Sequence, residues 1–306
     1  MAGNSRERKK RKQKKGSIGN VISTVILLVA LGVFCYAGYQ LITIYFDYKA
    51  GTDEYGSLEA YADTNKETEG FVEDVMAENE TMGEDEWGDA VLREETGGKE
   101  FEQMENPIDF DSLLAMNEDI IGWLEMEAID INYPIVQGTD NEYYLHRTFL
   151  GQDNFAGSIF LDYLNHSNFS NRNNIVYGHN MKNGSMFGIL KKYGEQETVD
   201  KSPYFWIYTP SRIYKYEIFS AAEVDAYSSS YQITFADSQE FQSFLNLAKN
   251  QSWIKSSLQV GYGDTVVTLS TCTGNEATRF IVQAKRVRTY KAVPKAGGYD
   301  TPETEG

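Results

Sequence analysis

Thr265-Val-Val-Thr-Leu-Ser-Thr-Cys272 is a run rich in β-branched residues, with Gly261 and Gly263 before it and Gly274 after it, and it ends in a cysteine. A run of this composition between turn residues predicts a β-strand. Successive side chains of a strand point to opposite faces. Val267 and Leu269 therefore share one face, and Val266, Thr268, Ser270 and Cys272 share the other. The thiol stands at the end of the strand on its more polar face, whereas a purely structural cysteine fits better beside Val267 and Leu269. The chain on either side of this strand decides what the thiol is for.

Downstream, residues 273–278 make a loop of six residues, a length that suits a hairpin. The strand beyond, residues 279–287, alternates Phe280, Val282 and Ala284 with Arg279, Ile281, Gln283 and Lys285. A hairpin returns Arg279 to the neighbourhood of Cys272, on the polar side. Arginine is most often a plain surface charge; its place beside the thiol favours a functional role.

Upstream, short strands are expected at residues 129–136, 158–161, 174–177, 204–208 and 214–224, with Pro134 marking an edge or bulge. A helix is expected over 237–249, because Phe241, Phe244, Leu245 and Ala248 recur at helical spacing and Asp237 with Glu240 forms a capping pair. Shorter helices are expected at 186–193, where Met186, Ile189 and Leu190 make an apolar side, and near Leu113, capped by Asp111 or Ser112. About seven or eight short strands with turn signals between them favour an antiparallel barrel or sandwich with a few helices.

The compartment follows from the N-terminus. Residues 1–46 hold eight Lys/Arg and one acid, all of them before residue 16, and no charged residue lies between Gly16 and Phe46. The apolar core, residues 21–44, is long enough to cross a bilayer, which takes about 20 residues. No small-x-small cleavage site follows, so an uncleaved signal anchor is expected. Tyr36, Tyr39 and Tyr45 suit an interface, and the positive-inside rule leaves residues 1–16 in the cytoplasm and the rest outside. Residues 47–105 carry 20 acids against four bases, are poor in branched apolar residues, and read as an acidic extracellular linker. The whole chain has a net charge of −17, and its bases cluster ahead of the span, so nucleic-acid binding is not expected. The folded domain spans 106–293, and 294–306 form a flexible tail.

Of the two cysteines, Cys35 lies inside the span, leaving Cys272 as the sole exported thiol. An unpaired cysteine in an exported domain suggests a reactive thiol or an intermolecular bridge; a small inert core residue is the alternative. Of the three histidines, His146 and His166 fall in polar loops. His179 directly follows a strand in Asn174-Ile-Val-Tyr-Gly-His-Asn180, where Gly178 permits a sharp turn. A histidine at a strand end suits acid–base chemistry, though a structural loop histidine fits the same pattern. The histidines are too scattered for a zinc site, so no metal is expected.

Together, Thr268-Leu-Ser-Thr-Cys272, Arg279 opening the next strand and Tyr177-Gly-His-Asn180 resemble a sortase, a membrane-anchored cysteine transpeptidase of Gram-positive bacteria. The order His, Cys, Arg matches. The N-terminal anchor fits classes A and B better than the pilin-type class C. Class B is resembled further by the helix at 237–249, by Trp123, by Asn132-Tyr-Pro-Ile-Val-Gln-Gly138 with Asn141 and Tyr144-Leu145, and by Gly157-Ser-Ile-Phe160. The resemblance runs from about Ile120 to Val287. It implies a mainly β fold: a closed antiparallel or mixed sortase-like barrel of about eight strands with a few helices, behind the N-terminal transmembrane helix. The loop between Cys272 and Arg279 is shorter than in several class B members, which bears on specificity.

The resemblance also implies a mechanism. Cys272 attacks the carbonyl of a threonine in a C-terminal sorting signal, LPxTG-like or NPxTN-like, carried by a surface protein. The resulting thioacyl enzyme is resolved by an amine, either from a peptidoglycan precursor or, in a pilin polymerase, from a lysine. His179 serves as acid and then base, and Arg279 stabilises the oxyanion or holds the substrate backbone. Asn141 is an orienting candidate, and Ser270 and Tyr231 are groove-lining candidates. No cofactor is required. Ordinary thiol and imidazole pKa values of about 8.5 and 6.5 leave a thiolate–imidazolium pair only partly populated unless the site shifts them. A hydrolytic cysteine protease shares the first half of this chemistry, and a non-catalytic surface scaffold is the alternative from another class.

Overall fold

A computed structural model describes residues 17–63 and 101–299. The basic tail, residues 64–100 of the acidic segment and the last residues of the C-terminal tail lie outside the described residues. The chain divides into two compact units, the first ending at Lys49 and the second starting at Ala50.

Helix α1 (Ser17–Leu58) begins in the first unit. Its apolar stretch presents Ile26, Leu27, Leu28, Val29 and Phe34 on its surface, and it is the one helix among the described residues long and apolar enough to cross a membrane.

In the second unit, eight strands close into a mixed barrel: β2 (Ile120–Met126), β3 (Ile131–Val136), β4 (Ile159–Leu161), β5 (Asn173–Tyr177), β6 (Tyr204–Tyr208), β7 (Arg212–Asp225), β8 (Val266–Cys272) and β9 (Thr278–Val293). The order around the barrel is β9-β7-β6-β2-β3-β4-β5-β8, and β8 pairs with β9 to complete the circle. A short strand β1 (Gln103–Glu105) runs parallel to the end of β9. Within the barrel, β3–β4 and β5–β8 are parallel and the other neighbours antiparallel. Pro134 pairs with Trp123 of β2, while β4 joins β3 only from Ile135 onward, so the proline sits where β3 is locally an edge.

Alternation along the strands fills the interior. Val267 and Leu269 of β8 and Val282 and Ala284 of β9 are fully buried, as are Trp123, Leu124 and Phe205. The opposite face of β8 is buried as well. Val266 packs with Phe219 of β7 under Phe241, Phe244, Leu245 and Ala248 of α4 (Ser238–Gln251). Burying each such large apolar side chain contributes roughly 1.5–3 kcal/mol. Asp237 caps α4 by accepting from the Glu240 N–H at 2.8 Å, and the Glu240 carboxylate accepts from the Ala236 N–H.

Four sequence expectations are met differently. Helix α2 (Phe110–Met116) is capped by Asp109, not Asp111 or Ser112; Asp109 accepts from both the N–H and the hydroxyl of Ser112. Residues 186–193 do not form the expected helix. Met186 adopts a left-handed φ of 52° and bridges back to Asn180, leaving only a 3-10 turn at Leu190–Gly194. Gly188 there lies so close to the Met181 carbonyl that a Cβ would approach to 2.3 Å. The apolar pattern marked burial, since Met186, Phe187 and Leu190 are all buried, but not helix.

The segment expected to begin a solvated linker is folded at its start. Tyr55, Leu58 and the following Tyr61 share one helical face and are buried, Leu58 to 2% exposure. The acidic average of the segment hides this stripe. Tail residues 294–299 are likewise engaged, with Tyr299 donating to the Asn106 carbonyl and Lys295 paired to Asp63. A short helix α3 (Gln196–Lys201) completes the second unit.

Candidate active site

The β8–β9 hairpin sets Cys272 directly opposite Arg279 in an antiparallel register that runs unbroken from Val266–Lys285. Both side chains are half-buried. The hairpin loop is tight. Gly274 takes a φ of +94°, Thr273 and Thr278 hydroxyls meet, and the Ala226 N–H donates to the Ala277 carbonyl. Lys191, from the turn after Met186, donates to the Thr273 carbonyl at 2.9 Å and ties this loop down next to the thiol.

His179 arrives from the other side of β8. Strand β5 pairs in parallel with β8 as far as Tyr177–Ser270, and the Gly178 N–H then donates to the Ser270 carbonyl at 3.1 Å. One step further along each chain from these residues, His179 comes alongside Cys272. Gly178 is required for space, not for an unusual backbone angle. A Cβ there would stand 2.4 Å from Ile159 Cδ1 and 2.8 Å from Phe187.

The His179 Nε2 lies 2.7 Å from the Leu145 carbonyl. A carbonyl only accepts, so the proton sits on Nε2, and Nδ1 is the nitrogen left to exchange a proton with a substrate or thiol. Burial pushes the imidazolium pKa below its ordinary range, the Leu145 bond opposes this, and the nearby His146 adds to it.

The third wall is aromatic. Tyr231, in the turn after β7, shares a 2.8 Å hydrogen bond with Ser270 and stacks on Tyr177 with ring centroids 6.3 Å apart. Burial raises the Tyr231 pKa, and Arg279 and Cys272 both lie within electrostatic reach of its hydroxyl. Tyr177 donates to Asp162, which also accepts from Asn141 at 2.9 Å. Asn141 in turn accepts from the Tyr163 N–H. Its partner in this site is therefore Asp162, while His179 is held by Leu145.

Arg279 is fixed by its own loop: Nη1 donates to the carbonyls of Glu276 at 2.9 Å and Thr278 at 3.0 Å. Among the described residues Nε and Nη2 make no hydrogen bond, which leaves two donors of a planar fork for an incoming carbonyl oxygen. No cluster among the described residues has the composition to hold a metal ion.

A thiol, an imidazole and a guanidinium, set side by side at the ends of adjacent strands of a closed mixed barrel, are matched elsewhere. The sortase-domain family model matches residues 124–287, more than half of the chain. The chain belongs to the sortase family. It is 38% identical over 178 residues to sortase B of Listeria monocytogenes, covering 57% of this chain and 72% of that protein. It superposes with a TM-score of 0.56 on a Staphylococcus aureus sortase B–substrate complex, at 33% identity and covering 58% of this chain and 84% of that one. Sortase B from Bacillus anthracis gives the same TM-score at 40% identity, covering 62% and 89%. The resemblance to class B sortases holds, and with it the barrel.

Several participants in this sortase site escaped the sequence reading. Asp162 and Lys191 sit in stretches with no motif, and the Leu145 contribution is a backbone carbonyl that no residue type announces. Asn173, fully buried, donates both amide hydrogens to the carbonyls of Ser230 and Gln232, on either side of Tyr231. An asparagine in the middle of an apolar strand was the available signal, because a buried polar side chain requires partners.

Proposed function

We propose that this class B sortase cleaves a C-terminal sorting signal and transfers the upstream protein to an amine. Family membership supports cysteine transpeptidase chemistry, and the observation that carries the residue roles is the register that brings Cys272 opposite Arg279 and alongside His179. The Cys272 thiolate adds to the carbonyl carbon after a threonine, and the oxyanion that forms accepts from the free donors of Arg279. Collapse expels the C-terminal fragment as an amine, which takes its proton from the His179 imidazolium, and leaves a thioacyl enzyme. An incoming amine gives a proton back to His179 and attacks the thioester. The thiolate is then released and a new amide formed. Every proton taken up in the first half is returned in the second.

A relative solved as a sortase B–substrate complex supports a peptide occupant for the groove beside Tyr231 and Ser270. LPxTG-like and NPxTN-like signals are the candidate motifs, and a peptidoglycan-precursor amine is the acceptor. The uncharged stretch of α1 would anchor the enzyme in the cell membrane, N-terminus inside and barrel outside. The test is mass analysis of the enzyme incubated with a panel of such peptides, with and without added amine. A thioacyl adduct on the parent chain that converts to an amide product, and is lost in Cys272→Ala, is expected. Hydrolysis alone in the presence of amine, or an active Cys272→Ala variant, would defeat the proposal.

A further inference from the structure

The chain following the apolar stretch makes two separate connections to the surroundings of His179, and both start from one side chain. Tyr55 is buried, and its hydroxyl donates to the Gly157 carbonyl at 2.7 Å and lies 3.1 Å from Ser158 Oγ. Gly157, at a φ of +56°, presses against the Leu145 carbonyl so closely that a Cβ would stand 2.5 Å from that oxygen. The Ser158 N–H donates to the Tyr144 carbonyl, and Ser158 Oγ to the Arg147 carbonyl. The Leu145 oxygen thus pinned is the one that holds His179 Nε2.

The second connection uses the ring. Tyr55 packs edge-on against Tyr133, with centroids 5.5 Å apart. The Tyr133 hydroxyl accepts from the Met186 N–H at 3.1 Å, and the next residue, Phe187, donates its N–H to the His179 carbonyl at 3.0 Å. One arm therefore fixes the imidazole and the other the backbone that bears it.

We propose that Tyr55 is a positioning residue for His179, so that the segment from Ala50 to Tyr61 belongs to the machinery of the reaction and is not a spacer. This rests on the acid–base reading of His179. Pre-organised orientation of a proton-transfer group is worth large factors in rate, and a small misplacement costs up to about 100-fold. Loss of the Tyr55 hydroxyl keeps the ring contact with Tyr133 but frees Gly157 and Ser158, and with them Leu145.

The test uses the full chain in detergent micelles and the variant Tyr55→Phe. The first readout is the nitrogen chemical-shift signature of the labelled histidines, which reports tautomer without reference to activity. His179 is expected to move from Nε2-protonated towards a mixture of tautomers, while His166 stays unchanged. The second is steady-state cleavage of whichever LPxTG-like or NPxTN-like fluorogenic peptide the parent cleaves. There kcat is expected to fall about 10-fold with KM within about two-fold. An unchanged His179 signature in folded Tyr55→Phe overturns the proposal, whatever the rate or melting temperature does. A moved signature with an unchanged rate leaves the positioning intact and removes His179 from the chemistry. If Tyr55→Phe does not fold, Tyr133→Phe severs the second arm and is expected to move the same signature; no movement there also overturns the proposal.

Discussion

At the scale of single residues, the pKa of His179 makes a prediction whose sign is fixed. Burial depresses it, so the unfolded chain takes up the proton first, near the ordinary value of about 6.5. Between that pH and the lower folded value the unfolded state binds more protons, and stability falls as pH falls. Above about 6.5 this group contributes no slope. The parent's melting temperature is therefore expected to drop more steeply than that of His179→Gln as pH is lowered through this window, as calorimetry at matched pH values would show. Parallel curves would mean that the imidazole is not held neutral by its burial. Cys272 and Arg279 were legible in the sequence because strand parity and a hairpin are local rules. The partner of His179 was not, because it is a carbonyl of residue 145, brought in by the tertiary fold. Asn141 was legible as a polar residue of the site, but its partner Asp162 lies in another loop.

At the scale of elements, the periodic ones were read well and the irregular ones poorly. Strands β6 to β9 and α4 follow from alternation or from helical spacing. Residues 186–193 carried a helical apolar pattern that the left-handed Met186 and the crowded Gly188 override. The turn that carries Tyr231 shows how a strand can govern a loop: it hangs from both amide hydrogens of Asn173 in β5. Asn173→Ala removes these donors and leaves two carbonyls without them, at a cost of about 1–3 kcal/mol each if they stay buried. The expected result is a peptide KM raised about 10-fold or more. Alkylation of Cys272 by a small thiol reagent should stay unchanged, since the strand bearing the thiol is untouched. A variant with lowered kcat and normal KM would show that the turn serves the chemical step instead.

At the scale of the whole molecule, the barrel satisfies its strands by closure, and the apolar stretch of α1 gives the chain a second environment to satisfy. That stretch predicts a simple measurement. Leu28→Asp places a charge in the middle of the span and costs roughly 2.5–3.5 kcal/mol of insertion free energy. The variant is expected to shift from the membrane to the soluble fraction on cell fractionation, with the barrel's melting transition unchanged. Retention of Leu28→Asp in the membrane fraction would count against the span. Composition revealed this stretch at once, since an unbroken apolar run is visible in any window. It concealed Tyr55, Leu58 and Tyr61, because three apolar residues on one helical face vanish in an average dominated by acids.

Strand β9 pairs with β1, β7 and β8, and it is the last strand in chain order among the described residues. During synthesis and export, β7 and β8 must therefore wait with open edges, the kind of surface on which chains aggregate. Only when residues 278–293 emerge does the circle close, and the same event delivers Arg279 to the thiol. An interrupted chain ending before β9 would carry Cys272 but no guanidinium to face it, so completion of the polypeptide and assembly of its reactive centre coincide in time.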